Sequence, residues 1–588
     1  MAENQRVTGR VVDHIVGYLA ATGVEYIFGV DGANIEDVYD AAHFRDGITA
    51  VLAKHEFSAA TMAEGLSRSG FGLGVVAATS GGGCLNTVAG LGEAFASRVP
   101  VLALIGQPPT TLDGRGAFQD TSGRNGALNG EALFSAVSVF CRRVTTPQEI
   151  VSALPEAIVA AQRGGPAVLL LPKDVQQAEF DPTRTVNGTT NGLSVAAHLG
   201  DPQIIARALR NADGPVTIIA GEQVARDDAR AELAQLRSML RARVATVPDA
   251  KDVAGTPGLG SSSALGVTGV MGHPGIAEAI ADSALCLLVG TRMNVTARAG
   301  LDEALASVPT YSIGSAAPYV PSTHVHTENL RGSLKLLTEA LARECRPKRV
   351  RVPDVVPRTE LTPPPHDGPG VRYRAAMTAL DAALPDGVDI VVDAGNIGAA
   401  AIHYLPPRRD GRFVVALGMG GMGYSFGAAL GIAFGRAMGV RAKSQGPTRR
   451  TVVLAGDGSF YMHGMEIHTA LQYGLPVTFL LFDNRAHAMC VTREQVFYND
   501  VYSYNRFGPS RLGAGLATMF PGLSSVDVDT IDELPGALAA ALEVDGPSVV
   551  AVQCSADEIP PFAAFLGKAP VKNPVTAEES RSNVVARA

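Results

Sequence analysis

Val452-Val453-Leu454-Ala455-Gly456-Asp457-Gly458-Ser459 is an apolar run that stops on glycine and a carboxylate. Further along, Val477-Thr478-Phe479-Leu480-Leu481-Phe482-Asp483-Asn484 repeats the pattern and stops on Asp-Asn. Runs of this length, rich in Val, Leu and Phe, read as strands, and a helix-like stretch separates them. The unit is strand–helix–strand, so the strands are parallel and their polar ends share one sheet edge, where α/β proteins bind ligands. One carboxylate and one amide oxygen there are hard donors, suited to Mg²⁺ or Ca²⁺ with a phosphate completing the shell. The free N–H groups of the turn at 456–459 suit the phosphate itself. Alone, Gly-Asp-Gly is more often a tight β-turn. Asn484 at the matching strand end is what turns it into a site.

The same alternation runs outward from this unit. Val75–Ala78, Val101–Ile105, Val168–Leu171, Val216–Ala220, Leu285–Val289 and Phe413–Leu417 are further short apolar runs, separated by Ala-rich stretches with helical spacing. The fold class is therefore α/β with parallel sheets. A chain of 588 residues is too long for one core. Residues 179 to 200, rich in Thr, Asn and Gly, and 346 to 370, rich in Pro, read as linkers. They mark domains at 1–178, 198–345 and 370–562, with a tail at 563–588. Gly165-Pro166-Ala167-Val168 and Gly546-Pro547-Ser548-Val549 each feed a final apolar strand, an echo which predicts that the first and last blocks share a fold.

Bulk properties exclude several classes. A net charge of −8 argues against general nucleic-acid binding. Apolar runs are too short to span a bilayer, and no apolar leader opens the chain. Six scattered cysteines show no metal spacing, so buried, reduced thiols in a cytoplasmic protein are expected. Gly418-Met419-Gly420-Gly421-Met422-Gly423 matches a dinucleotide-binding loop, but that reading needs an acid about 20 residues on. Tyr424 to Gly456 holds neither Asp nor Glu. What survives is close backbone approach before a helix N-terminus.

Gly456-Asp457-Gly458-Ser459 with Asp483-Asn484 resembles the GDGS…NN signature of thiamine-diphosphate enzymes. That resemblance implies Asp457, Asn484 and the Ala486 carbonyl as metal ligands. Lys54-His55-Glu56-Phe57-Ser58-Ala59 is similar to the family's HE-x-x-A motif, with Glu56 as the carboxylate that activates the cofactor's aminopyrimidine. Thr79–Asn86, Ile105–Gln107, Ala117–Asp120 and Leu171–Val175 resemble TSGPGATN, TGQ, AFQE and IPKDV of the acetohydroxyacid (acetolactate) synthase group. Gly420–Tyr424 resembles GTMGYG, which implies Met422 as the prop for the bent cofactor and the Gly420 carbonyl as acceptor for its amino group.

The resemblance spans residues 7 to about 560 and implies three doubly wound parallel-sheet domains: pyrimidine-binding, middle and diphosphate-binding. It places Gly32, Glu56, Ser80 and Asn86 of the first block at thiamine diphosphate. From the last block it places Asn396, Gly420, Met422, Gly456, Asp457, Gly458, Ser459, Asn484, His487 and Met489 there. It implies Glu56 as catalytic, with Gln119 and Lys173 carried over as catalytic candidates that line the site, and a homodimer or homotetramer with Glu56 and Asp457 supplied by different subunits. His487, where the sequence departs from the family, is a further catalytic candidate for handling a proton at the acceptor.

Three departures qualify it. The family's Trp after the metal Asn is missing; Asn484–Arg493 holds His487 and Arg493 instead, and the chain has no Trp. GYPGG becomes Gly29-Val30-Asp31-Gly32-Ala33. In the middle block, Gly290–Asn294 keeps the Arg of the FAD motif GARFDDR, but Tyr311–Ser315 lacks the acid of DIDP. FAD stays an open alternative that the ribose argument disfavours. The expected activity is decarboxylation of a 2-oxo acid of pyruvate type and transfer to a carbonyl acceptor. Two alternatives stay open: a non-ligating decarboxylase and an inactive homologue with a regulatory role.

Overall fold

The computed structural model describes residues 9–181, 197–254, 264–343, 358–443 and 449–567; most of the first linker, half of the second and the tail beyond 567 lie outside them. Three six-stranded parallel sheets dominate. The first is built from β1 (Tyr26–Val30), β2 (Thr49–Leu52), β3 (Gly74–Ala78), β4 (Val101–Gln107), β5 (Phe140–Arg143) and β6 (Pro166–Pro172), in the order β2-β1-β3-β4-β6-β5. The middle sheet comprises β7 (Val216–Ala220), β8 (Arg243–Thr246), β9 (Ala264–Val267), β10 (Leu285–Val289), β11 (Thr310–Gly314) and β12 (Thr323–His326), ordered β9-β8-β7-β10-β11-β12. The third contains β13 (Asp389–Val392), β14 (Phe413–Val415), β15 (Thr451–Gly456), β16 (Val477–Asp483), β17 (Ser524–Val528) and β18 (Ser548–Gln553), ordered β14-β13-β15-β16-β18-β17.

The first and third sheets thus follow one strand order. Gly165-Pro166 and Gly546-Pro547 enter equivalent strands, β6 and β18. Every residue of β4, β6 and β16 is buried, as strands covered on both faces require. In each of these sheets the chain reverses its direction of travel beside β1 and β3, or beside β13 and β15. These switch points are where a crevice opens at the carboxyl ends.

The described chain divides into two compact units. One contains the first sheet together with residues 416–451 and 463–477; the other contains the middle and third sheets. Within the first unit, helix Tyr424–Lys443 lies on helix Glu56–Arg68. The approach depends on glycine: a Cβ at Gly65 would strike the Ala428 backbone, one at Gly427 Thr61 and the Ser58 carbonyl, one at Gly431 the Met62 carbonyl. Phe434 of the same helix packs on Tyr26 and Phe28 of β1, with ring centroids 4.9 and 5.5 Å away. No helix among the described residues is long and apolar enough to cross a membrane. The described cysteines are free; Cys84 and Cys286 are buried, but Cys490 is exposed, contrary to the expectation of uniform burial.

Candidate active site

At the third-sheet edge, β15 and β16 are neighbours, so their ends meet. No turn intervenes at 456–459 as the sequence predicts: helix Asp457–His463 starts directly from β15. The Ala486 N–H donates to Asp457 Oδ2 (3.2 Å) and to Asn484 Oδ1 (3.1 Å), drawing all three residues together. Arg485, between them, takes a positive φ of 57°, a strained conformation for a non-glycine residue. The Phe507 N–H donates to its carbonyl at 2.6 Å and holds that bend. Asp457 is fully buried, and its Oδ1 has no hydrogen-bond partner. Burial, with Asp483 adding repulsion, pushes its carboxyl up to about 7. Ser459 Oγ donates to Asp393 Oδ1 at 2.6 Å. Gly458 and Ser459 are buried, and a Cβ at Gly456 would meet nothing within 4 Å. Asn396, first residue of helix Asn396–Tyr404, also has a buried Oδ1 without partner. His487 precedes helix Ala488–Phe497, which carries Met489; its Nδ1 is buried and unpartnered, and its ring stands edge-on to Phe507 at 4.8 Å.

At the first-sheet edge, Glu56 begins its helix, 9% exposed, and its Oε2 accepts from Asn86 Nδ2 at 3.0 Å. A second thread runs from Asn34 Nδ2 to Ser80 Oγ (2.7 Å) and from Ser80 Oγ to Gln119 Oε1 (3.3 Å). Gln119 holds a φ of 61°, strain of the kind that gathers at functional sites. Gly32 lies against Thr79, 2.8 Å from where its Cβ would stand. Lys173 opens the short helix that follows β6. Its ammonium donates to the Ala33 carbonyl (2.6 Å) and to Glu36, so it anchors the turn that follows Gly32.

The Gly418–Gly423 loop belongs to this first unit. A Cβ at Gly421 would meet the Phe57 ring at 3.3 Å, beside Glu56, and Met422 is half-buried. His463 stacks on Phe57 with centroids 4.4 Å apart, and burial followed by the neighbouring His55 pushes it down to about 4. Sequence reasoning missed Tyr373 and Asp393. Tyr373 OH accepts from Asn484 Nδ2 at 3.3 Å, 111 residues away, with no local signature. Asp393 follows β13 as Asp457 follows β15, so the same strand-end reading finds it.

Residues 9–126 match the N-terminal TPP binding domain of thiamine pyrophosphate enzymes, 203–315 their central domain and 393–552 their C-terminal TPP binding domain. The chain belongs to the thiamine pyrophosphate enzyme family. Within it, the chain is similar to acetolactate synthases. It is 26% identical to the probable acetolactate synthase large subunit of Methanocaldococcus jannaschii over 561 residues, covering 90% of this chain and 89% of that one. It is 28% identical to the acetolactate synthase of Arthrospira platensis (94% and 95% covered). With the isozyme 2 large subunit of Escherichia coli it shares 27% identity (93% and 95%).

The third-sheet edge of this thiamine pyrophosphate enzyme fits a divalent cation and a diphosphate. Its buried acceptors Asp457 Oδ1 and Asn396 Oδ1 lack protein donors, and buried polar atoms rarely stay so. Among the described residues no group of three or more His, Cys, Asp or Glu could hold a metal. One carboxylate with neutral oxygens suits a cation that keeps phosphate oxygens in its shell. In the middle sheet, Gln223 spans the carboxyl edge: its Oε1 accepts from Ser315 N at 2.7 Å, while Arg226 Nη2 donates to Ser315 Oγ at 3.2 Å.

Proposed function

We propose that the chain is a thiamine-diphosphate- and Mg²⁺-dependent carboligase. It decarboxylates a 2-oxo acid of pyruvate type and joins the remainder to a second carbonyl compound. The observation that carries this reading is the unpartnered Asp457 Oδ1, tied through the Ala486 N–H to Asn484. Asp457, the Asn484 amide oxygen and the Ala486 carbonyl would hold the metal. Asn396, Gly456, Gly458 and Ser459 would border the diphosphate. Bound thiamine diphosphate supplies the carbon that attacks the ketone and an electron sink for loss of CO₂. Glu56, oriented by Asn86, holds a proton at the pyrimidine nitrogen. Gly420 and Met422 shape the pocket around that ring, and Gly32, Ser80 and Gln119 border it. His487, whose ring stands edge-on to Phe507 at 4.8 Å, handles a proton on the acceptor side.

The relatives' names support pyruvate as donor. The domain division 1–178, 198–345 and 370–562 is supported by the three matched segments. The ribose argument and the Gln223 bridge favour a middle domain that works without FAD; flavin absorbance from the purified protein would overturn that. The scattered free cysteines favour a cytoplasmic protein, and the family resemblance favours a homo-oligomer with sites shared between chains.

The deciding experiment offers pyruvate with a panel of aldehydes and ketones to the protein loaded with thiamine diphosphate and Mg²⁺. Ligated hydroxyketone products are expected. Free aldehyde alone would leave a decarboxylase, and absence of CO₂ release would defeat the reading. Mixing Glu56→Gln chains with Asp457→Ala chains tests sharing: recovered activity means that two chains build one site, and none means that they do not.

A further inference from the structure

The Gly418–Gly423 loop cannot fix its own shape. Four of its six residues are glycine, and Gly420 and Gly423 take φ of 68° and 86°. Yet the proposed function asks it to present the Gly420 carbonyl and Met422 to a ligand. Glu93, on helix Gly82–Ser97 of the same unit and 2% exposed, supplies the missing constraint. Its carboxylate accepts from the N–H groups of Gly418 (3.1 Å), Met419 (2.6 Å) and Gly420 (3.3 Å). Ser97 Oγ donates to it at 2.7 Å, and Arg68 Nη2 stands 3.4 Å away. Arg68 also donates through Nε to Glu64 (2.7 Å), which in turn accepts from Tyr424 OH. A Cβ at Gly418 would come within 2.8 Å of Glu93 Oε1, so this approach needs glycine.

Three successive N–H groups converging on one point form an anion-binding concavity. Here the protein's own carboxylate fills it. Burying a carboxylate is costly, and a neutral cap would satisfy loop amides with less desolvation. What the charge adds is rigidity: three peptide planes in a row are fixed, and only the φ and ψ of Gly420 remain to aim its carbonyl. We infer that Glu93 is a positioning residue for the pyrimidine end of the cofactor, acting through the 418–420 backbone. This rests on the function proposed above.

The test separates the two ends of the cofactor. Calorimetric binding of thiamine diphosphate and of inorganic diphosphate, each with Mg²⁺, is measured for wild type, Glu93→Gln and Glu64→Gln. Glu93→Gln is expected to weaken thiamine diphosphate about tenfold, the scale of one charge-assisted hydrogen bond, and to leave inorganic diphosphate unchanged. Glu64→Gln, in the same buried network but off the loop, leaves both unchanged. Amide hydrogen exchange at Met419 and Gly420 in the cofactor-free protein accelerates in Glu93→Gln alone. If that variant fails to fold, Glu93→Asp, which keeps the charge on a shorter arm, should show the same selective loss. Equal weakening of both ligands, or wild-type binding of thiamine diphosphate, overturns the inference. A wild-type protein that binds neither ligand overturns the proposed function and the inference with it.

Discussion

The first and third sheets share a strand order and a switch point, but their edges are finished differently. At the first edge most polar side chains satisfy one another: Glu56 with Asn86, Asn34 with Ser80, Ser80 with Gln119, Lys173 with Ala33 and Glu36, while Tyr39 OH and Gln176 Oε1 stay buried without partners. At the third, Asp457 Oδ1, Asp483 Oδ1, Asn396 Oδ1 and His487 Nδ1 are buried without partners. One topology has been used twice, and its chemistry divided. The more nearly saturated edge is preorganised to position groups; the unsaturated one keeps buried acceptors free, as the proposed cation and its anionic ligand require. That division predicts that the two edges fail differently when altered.

The largest effect falls on catalysis. Glu56→Gln is expected to lower turnover about a thousandfold, within the range for loss of a proton-handling group, while Mg²⁺-dependent cofactor binding persists. Asp457→Ala should abolish that binding as well as turnover. Turnover against a calorimetric titration of the cofactor reads both. Full activity in Glu56→Gln would remove the first edge from the mechanism.

Next comes acid stability. Helix Asn396–Tyr404 opens with Asn396 and carries in its last turn the buried His403, whose Nδ1–H donates to the Met271 carbonyl and whose Nε2 accepts from Leu361 N, both at 3.0 Å. That pattern requires the neutral ring. Burial pushes His403 down to about 4, and the charges of Lys251, Arg358 and Arg374 oppose its protonation further. The unfolded chain takes up that proton near pH ~6.5, before the folded chain does. Stability from this group is therefore complete above pH ~6.5 and is lost as pH falls toward 4, by about 3 kcal/mol. Thermal melts of cofactor-free protein between pH 8 and 4.5 should show the loss, and His403→Gln should make it shallower, leaving the part due to His463 and His273, which burial also pushes down, to about 4 and about 2. An unchanged slope in that variant would place the acid sensitivity elsewhere.

Both edges were partly legible in the sequence, for different reasons. Parallel strands covered on both faces read as unbroken apolar runs, so β4, β6, β15 and β16 stood out, and strand–helix–strand order then placed Asp457 beside Asn484. The Gly-Pro echo gave the shared fold of the first and last sheets. What stayed hidden depends on contacts with no local pattern. Nothing in the sequence pairs Gly65 with Ala428 or Gly431 with Met62, so the seating of helix Tyr424–Lys443 on the Glu56 helix could not be read. Glu93 looks like any helix-surface glutamate until the loop amides arrive. Lys173 matched a site motif, but its charge is engaged by the turn beside it.

Two glycines sharpen the comparison with smaller effects. At the saturated edge, a Cβ at Gly32 would stand 2.8 Å from Thr79, so Gly32→Ala must displace a packed side chain. It should cost about 1–3 kcal/mol in a denaturant melt with or without cofactor, because the clash is within the protein.

At the unsaturated edge, a Cβ at Gly456 meets nothing within 4 Å, and Gly456 is absent from the positive-φ glycines. Gly456→Ala should leave the cofactor-free melt unchanged to within about 0.5 kcal/mol, as for other substitutions that strain nothing. If a diphosphate lies against that backbone, the added methyl group occupies its space and the dissociation constant should rise about tenfold. The pairing is what decides. Stability lost at Gly32 and affinity lost at Gly456 would show that one edge is packed against itself and the other against a ligand. Unchanged affinity in Gly456→Ala would mean that the open space beside Gly456 is not where the diphosphate binds, even if Asp457 still proved essential.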